Sequence, residues 1–208
     1  MWSSLIIISA FIVGCIIGKL GLLPQAVTES NIAMWVLYAL MLQVGIGVGS
    51  DARLKEILRT ISPRILLLPC ATILGTLVSV FLISFALSRW SCFEVMAVGS
   101  GMGYYSLSSI LITSLKEASI GVQAAAELGT IALISNVFRE MITLVFAPLM
   151  VRWLGPLAPI SSGGATTMDV TLPVITRASG QEWVFVSIMH GVVVDFSVPI
   201  FVPLLCSL

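Results

Sequence analysis

The chain has 208 residues, 58% of them hydrophobic and only 10% charged, with ten acidic side chains balanced by ten basic ones. Its mean hydropathy is +1.11. Roughly a quarter of the residues of a soluble domain are charged, so a soluble fold is excluded, and zero net charge without a basic patch or tail offers nothing to a nucleic acid.

Hydropathy divides the chain into segments at 3–23, 31–49, 65–88, 93–115, 120–154, 165–178 and 183–206, joined by short links. About twenty apolar residues span a bilayer. The sequence therefore predicts an all-α, polytopic transmembrane helical bundle in which residues 1–208 form a single domain. The run from Trp2 to Leu23 carries one charge, Lys19, and has no Lys or Arg before it. It is too long for a signal peptide and lacks a small-residue cleavage site, so it reads as a permanent first helix. Leu22-Leu23-Pro24 closes it, and Thr28-Glu29-Ser30-Asn31 supplies caps for the second. Arg53, Lys55, Arg59 and Arg64 crowd the next link, which the positive-inside rule places in the cytoplasm. Seven crossings from a cytoplasmic N-terminus leave the C-terminus outside; Arg152, on the outer side, runs against this count.

Cys15, Cys70, Cys92 and Cys206 are singletons in or beside apolar segments. They form neither a disulfide framework nor a metal set and read as small core residues. No metal and no organic cofactor is expected.

Three glycine-rich interruptions recur: Gly45-Ile46-Gly47-Val48-Gly49, Gly99-Ser100-Gly101-Met102-Gly103 and Gly163-Gly164. The spacings Gly14/Gly18, Gly45/Gly49 and Gly99/Gly103 also suit close helix packing. Three glycines in five residues weaken a helix by roughly 1 kcal/mol each, so unwinding is expected at Gly99, Gly101 and Gly103. Segment 120–154 is ~50 Å long as a helix, against a hydrocarbon core of ~30 Å. It must tilt, protrude or break, with Asn136 and Pro148 as the places to break. Segment 165–178 makes only ~20 Å of helix, too short to cross alone. A short hydrophobic segment interrupted by Gly or Pro points to a transporter binding site.

Asp169 stands in that short segment, in a chain with little charge to spare. An acid at membrane depth costs about 2.5–3.5 kcal/mol on insertion scales and marks an ion or substrate pathway by default. Thr166-x-x-Asp169 also has capping-box spacing, so the plain alternative is that Asp169 closes a helix N-terminus. The two readings are compatible. A half-helix N-terminus presents free N–H groups and positive dipole, and Pro173 denies the Asp169 carbonyl its usual donor. Thr166, Thr167 and Asp169 then offer partners to a cation and an anion together, as an amino-acid zwitterion requires.

Asn136, Glu140 and Thr143 share a helix face as a polar stripe, which lines a pathway or fixes packing. Arg139 is adjacent to Glu140 and cannot share its face; a second carboxylate and a snorkelling position are both open to it. Glu127, His190 and Asp195 are further candidates for a proton relay. His190 and Asp195 point to different sides of their helix, and a lone membrane histidine also serves as a hydrogen-bonded packing residue. Tyr104 and Tyr105, beside the glycine break, can hold an ammonium by cation–π contact or serve as ordinary aromatics. Ser106, Ser108 and Ser109 can line the same cavity or bond back to their own helix. No hydrolase or nucleotide-binding motif occurs, so an enzyme is not expected.

At these residues the chain resembles the bacterial lysine exporter family. The resemblance rests on Gly99-Ser100-Gly101-Met102-Gly103-Tyr104-Tyr105-Ser106-Leu107-Ser108, on Asn136 with Arg139-Glu140, on Gly164-Ala165-Thr166-Thr167-Met168-Asp169-Val170-Thr171-Leu172-Pro173, and on His190-Gly191. It implies a multi-pass protein of the bacterial inner membrane that exports L-lysine or a similar cationic amino acid, with coupling to ion movement, H+ or Na+. Its functional acids fall on Asp169 and Glu140. Asp195 is outside the motif. Longer members carry an extra N-terminal membrane unit that this chain is expected to lack, so a homodimer or a small membrane partner is expected to complete the working unit. The competing functions are a passive channel, which favours a continuous polar stripe over isolated acids, and a non-transporting membrane subunit, in which the acids serve packing.

Overall fold

The computed structural model describes residues 63–208 and scattered positions between 9 and 46. Apart from those positions, the expected segments 3–23 and 31–49 lie outside the described residues, as do the pairs Gly14/Gly18 and Gly45/Gly49 and the link with Arg53, Lys55 and Arg59. Met1–Ser50 and Asp51–Leu208 are separate units. In the first, the helical positions Val13, Ile16 and Trp35 expose apolar side chains.

In the second unit the described residues form α1 (Pro63–Ser84), α2 (Cys92–Gly99), α3 (Tyr105–Ile120), α4 (Val122–Leu154), α5 (Ala158–Gly163), a 3-10 turn (Gly164–Met168), α6 (Leu172–Ser179), a second 3-10 turn (Gln181–Trp183) and α7 (Val184–Cys206). Among the described residues, three stretches are long and apolar enough to cross a membrane: Leu66–Ser84, Val122–Leu154 and Gln181–Cys206. Their outer surfaces are apolar too, with Leu67, Leu74 and Leu82 on α1 and Phe138, Val145 and Phe146 on α4 exposed. Surface of that kind is a liability in water and the solvated side in lipid. The fold is that of an all-α helical membrane protein.

α4 is one helix of 33 residues with Pro148 inside it. Asn136 does not break it, because the side-chain amide donates back to the Ala132 carbonyl at 2.8 Å. Gly121, at φ +85°, turns the chain from α3 into α4. The two helices then pack at backbone contact, since a Cβ on Gly129 would overlap Thr113 and lie 2.8 Å from the Ser109 carbonyl.

The two glycine-interrupted segments fold back on themselves. At the far end of α6 the Ser179 hydroxyl donates to the Pro156 carbonyl at 2.9 Å, so both ends of 156–179 lie side by side. In the other segment Lys116, late in α3, reaches Glu94, early in α2, at 3.8 Å. We designate α2–α3 hairpin A and α5–α6 hairpin B. The sequence reading counts 93–115 and 165–178 as crossings. In the structure 93–115 is two helices, α2 and α3, joined by a reversal, and 165–178 is the turn and returning helix of hairpin B, because positive-φ residues turn the chain at Met102, Gly103 and Gly164.

The bases of the hairpins lie at opposite ends of α4. Hairpin A runs directly into the N-terminus of α4 through Gly121, and Arg89, ahead of hairpin A, pairs with Glu127 there. Hairpin B leaves the C-terminus of α4 through Gly155. α7 packs against α1, α2, α3 and the 3-10 turn of hairpin B.

Candidate functional site

The tips of the hairpins meet beside the middle of α4. In hairpin A the chain leaves helix over residues 100–104, where Met102 (φ +43°) and Gly103 (φ +101°) reverse it. Met102 is fully buried. In hairpin B, Gly164 (φ +62°) begins the 3-10 turn. The Ala165 N–H donates to the Met102 carbonyl at 2.9 Å. Gly164 is needed twice over: its φ suits glycine, and a Cβ there would overlap the Met102 carbonyl. Across the contact, a Cβ on Gly103 would stand 3.0 Å from the Gly163 carbonyl.

α4 holds both tips. Asn136 Oδ1 accepts from the Gly103 N–H at 2.7 Å, and its Nδ2 lies 3.4 Å from the Ser108 hydroxyl. Arg139 donates from Nε to the Ser162 carbonyl at 2.8 Å and from Nη2 to the Ser161 carbonyl at 3.0 Å. These are the last carbonyls of α5, where a helix end lacks internal donors. Arg139 is thus committed to backbone rather than to a second carboxylate or to snorkelling, the two places that the sequence left open. Thr143 donates to the Arg139 carbonyl and shares a 2.7 Å bond with the Ser162 hydroxyl. The stripe of Asn136, Glu140 and Thr143 is buried, with exposures of 4%, 1% and 0%.

Hairpin B turns at Thr166–Thr171. The Thr166 carbonyl accepts the N–H groups of Asp169 (3.2 Å) and Thr171 (3.0 Å). The capping-box bond suggested by Thr166-x-x-Asp169 is not made; the Thr166 hydroxyl donates to the Gly163 carbonyl and pairs with the Thr171 hydroxyl. Asp169 is left exposed at the apex, its Oδ1 accepting the next residue's N–H, that of Val170. Pro173 sits in the first turn of α6.

α7 and α1 back the same turn. His190 is fully buried, with Nδ1 3.2 Å from the Thr167 hydroxyl and Nε2 2.9 Å from the Thr72 hydroxyl. The Thr167 hydroxyl also lies 2.8 Å from the Gly164 carbonyl and 2.9 Å from the Ser187 carbonyl, either of which accepts its single hydrogen. A Cβ on Gly191 would lie 2.6 Å from the Met168 nitrogen, so α7 packs directly on the backbone before Asp169.

Of the sequence candidates, the structure gathers Gly99, Gly101, Gly103, Tyr104, Asn136, Gly163, Gly164, Thr166, Thr167, Asp169 and His190 into this junction. Tyr104 lies within electrostatic reach of Asp169 and Asp195. Tyr105 is buried and Ser106 partly so at the start of α3. Glu127 stands apart, ion-paired with Arg89.

Sequence reasoning missed several members. Thr72, Thr76 and Ser79 of α1 face Ser161 and Ser162 of hairpin B across an open cleft of about 480 Å³; their helical spacing was the available signal. The buried pair Glu94–Lys116 had none, although Ser91-x-x-Glu94 is a legible capping box and is formed.

Comparison with known proteins places these features in context. The family model for the lysine exporter LysO matches residues 8–206. The chain is 30% identical over 203 residues to the Lysine exporter LysO of Escherichia coli K12, an alignment covering 96% of this chain and 62% of that protein. It is 28% identical over 197 residues to a Haemophilus influenzae protein whose name gives lysine export as a provisional assignment, covering 93% of each. The chain thus spans less than two thirds of the length of the E. coli relative. No solved structure matches it.

Proposed function

The chain belongs to the lysine exporter family, and from that premise we propose that it exports L-lysine, or a similar cationic amino acid, from the bacterial cytoplasm. The observation that carries this reading is the exposed carboxylate of Asp169 at the apex of hairpin B, where the two hairpin tips meet beside the middle of α4. Binding sites built from broken helices at the bilayer midplane are a transporter feature. Asp169 pairs with the substrate ammonium, and Tyr104 offers its ring and hydroxyl. Glu140 and Asn136 form the polar wall behind the tips.

The protein works as a multi-pass component of the inner membrane, and export is driven by exchange against H+ or Na+. Backbone broken at both tips must be shielded from lipid on every side, so the working unit includes a second copy or a small membrane partner. Native mass spectrometry from membranes tests the assembly, and an active monomer refutes it. Efflux of labelled lysine from proteoliposomes, with proton and sodium gradients imposed separately, tests the function. Flux that never runs uphill favours the passive channel, and no flux at all favours a non-transporting subunit.

A further inference from the structure

We propose that Asp195 is the proton-carrying acid of this site, protonated when the substrate has left and ionised when a cationic amino acid occupies the space before Asp169. This deepens the transport reading above and rests on it.

Placement is the first argument. Asp195 lies one helical turn beyond Gly191, and residues four apart share a helix face with Cβ atoms about 5–6 Å apart. Gly191 is the residue against which the Met168 backbone packs, immediately before Asp169. Two residues on, Ser197 lies 3.9 Å from the Met102 sulfur, so the same stretch of α7 also touches the tip of hairpin A. The charge of Asp169 reaches Asp195, and the charges of both reach Tyr104. Three elements therefore bring three ionisable groups to one place.

Burial is the second. Asp195 is 8% exposed, whereas Asp169 is open at its apex. Asp195 has no salt-bridge partner among the described residues. Two carboxylates sharing a low-dielectric site do not both carry charge without a cation beside them. Arg139, which reaches hairpin B from α4, donates to the Ser161 and Ser162 carbonyls. On the other elements packed against α7, Glu94 and Lys116 pair with each other near Cys206, Glu117 is exposed, and Arg177 and Glu182 lie toward the base of hairpin B. Among the described residues no basic side chain pairs with Asp195, so the proposal assigns that positive charge to a bound cation or a proton.

A substrate ammonium supplies it in one half of a cycle and a proton in the other. The bookkeeping closes: the Asp195 carboxylate takes one H+ from the outer face after the substrate leaves, and releases it to the cytoplasm when the next substrate cation enters. One proton moves inward for one monovalent lysine outward. Two other relay candidates are already engaged, since Glu127 pairs with Arg89 and both His190 ring nitrogens face hydroxyls.

The test uses the full chain in proteoliposomes with two readouts: lysine uptake into vesicles with an acidic lumen, and lysine–lysine counterflow at equal pH. Counterflow never returns an empty carrier and needs no proton step. Asp195→Asn is expected to lose gradient-driven uptake and keep counterflow, and an imposed sodium gradient is expected to drive neither protein. Gradient-driven uptake by Asp195→Asn at the wild-type rate overturns the proposal. So does loss of both readouts in a folded, inserted variant, which assigns Asp195 to substrate binding or packing. Should Asp195→Asn fail to insert, Asp195→Glu is expected to shift the pH of half-maximal uptake, and an unshifted profile overturns the proposal. Wild-type protein that is inactive in both assays, when reconstituted with any membrane partner that purifies with it, removes the transport reading itself, an outcome distinct from any result with the variants.

Discussion

Ala165 donates its N–H to the Met102 carbonyl at 2.9 Å, joining the tips of two hairpins whose bases lie at opposite ends of α4. The bond exposes a repeat in the topology. α1 followed by hairpin A, and α4 followed by hairpin B, are each a long helix succeeded by a folded-back pair that starts from its C-terminal end. Because the tips meet, the two units run in opposite directions. Inverted-topology repeats with a site at their junction are a recurrent transporter plan, which gives the location of Asp169 a structural reason independent of its charge.

Gly164 tests that junction. Gly164→Ala adds a Cβ that overlaps the Met102 carbonyl and holds alanine at φ +62°. Strain of this kind costs about 1–3 kcal/mol, so a lower melting temperature in detergent and weaker transport are expected. Gly75→Ala is the control: nothing lies within 4 Å of its added Cβ, and alanine suits a helix interior better. Equal melting temperatures for both variants count against the tip contact.

Asn136 tests the attachment of hairpin A. Asn136→Leu removes the acceptor for the Gly103 N–H, and a buried unsatisfied donor costs about 1–3 kcal/mol. The expected result is lower stability together with faster proteolysis or thiol labelling near residues 100–104. A variant as stable and protected as the wild type shows that the bond carries no weight.

Part of the hairpin geometry was legible before the structure. The three glycines at 99–103 marked a real interruption, and a carboxylate beside a short, Pro-containing segment marked the apex of hairpin B. What stayed hidden was direction. Hydropathy is a one-dimensional average, so it gives a folded-back pair and a crossing helix the same profile. The Ser179–Pro156 bond and the Glu94–Lys116 pair, which reveal the reversals, join residues far apart in sequence. Arg139 was opaque for a similar reason: its partners are backbone carbonyls, which no side-chain pattern encodes.

Asp169→Asn keeps the size and one acceptor oxygen but removes the charge offered to an ammonium. Export is expected to be lost while insertion and melting temperature stay near the wild type, since the residue is exposed and its hydrogen bond is to the adjacent Val170 N–H. Wild-type efflux from this variant sinks the site assignment.

Glu140→Gln separates transport from packing for the buried stripe. Glu140 is 1% exposed, and the amide is nearly isosteric with the acid. A strong fall in efflux with little change in stability assigns the charge to transport. Normal efflux from a protein that melts early assigns Glu140 to packing with Asn136 and Thr143.

The reversal of hairpin B can be tested by cross-linking in membranes. The 2.9 Å bond from the Ser179 hydroxyl to the Pro156 carbonyl sets these two backbones side by side, and a disulfide bridges Cα atoms about 4.4–6.8 Å apart. A crossing helix over the same residues would separate its ends by ~35 Å. In a background with the four native cysteines replaced by alanine, Pro156→Cys with Ser179→Cys is expected to form an intramolecular disulfide under mild oxidation. A protease site placed at the apex of the hairpin and cleaved after denaturation gives the readout: the fragments stay joined without reductant and part with it. Pro156→Cys paired with a cysteine at Met168, near the apex, is the control and is expected to stay open. Fragments that separate without reductant in the Pro156/Ser179 variant overturn the folded-back arrangement.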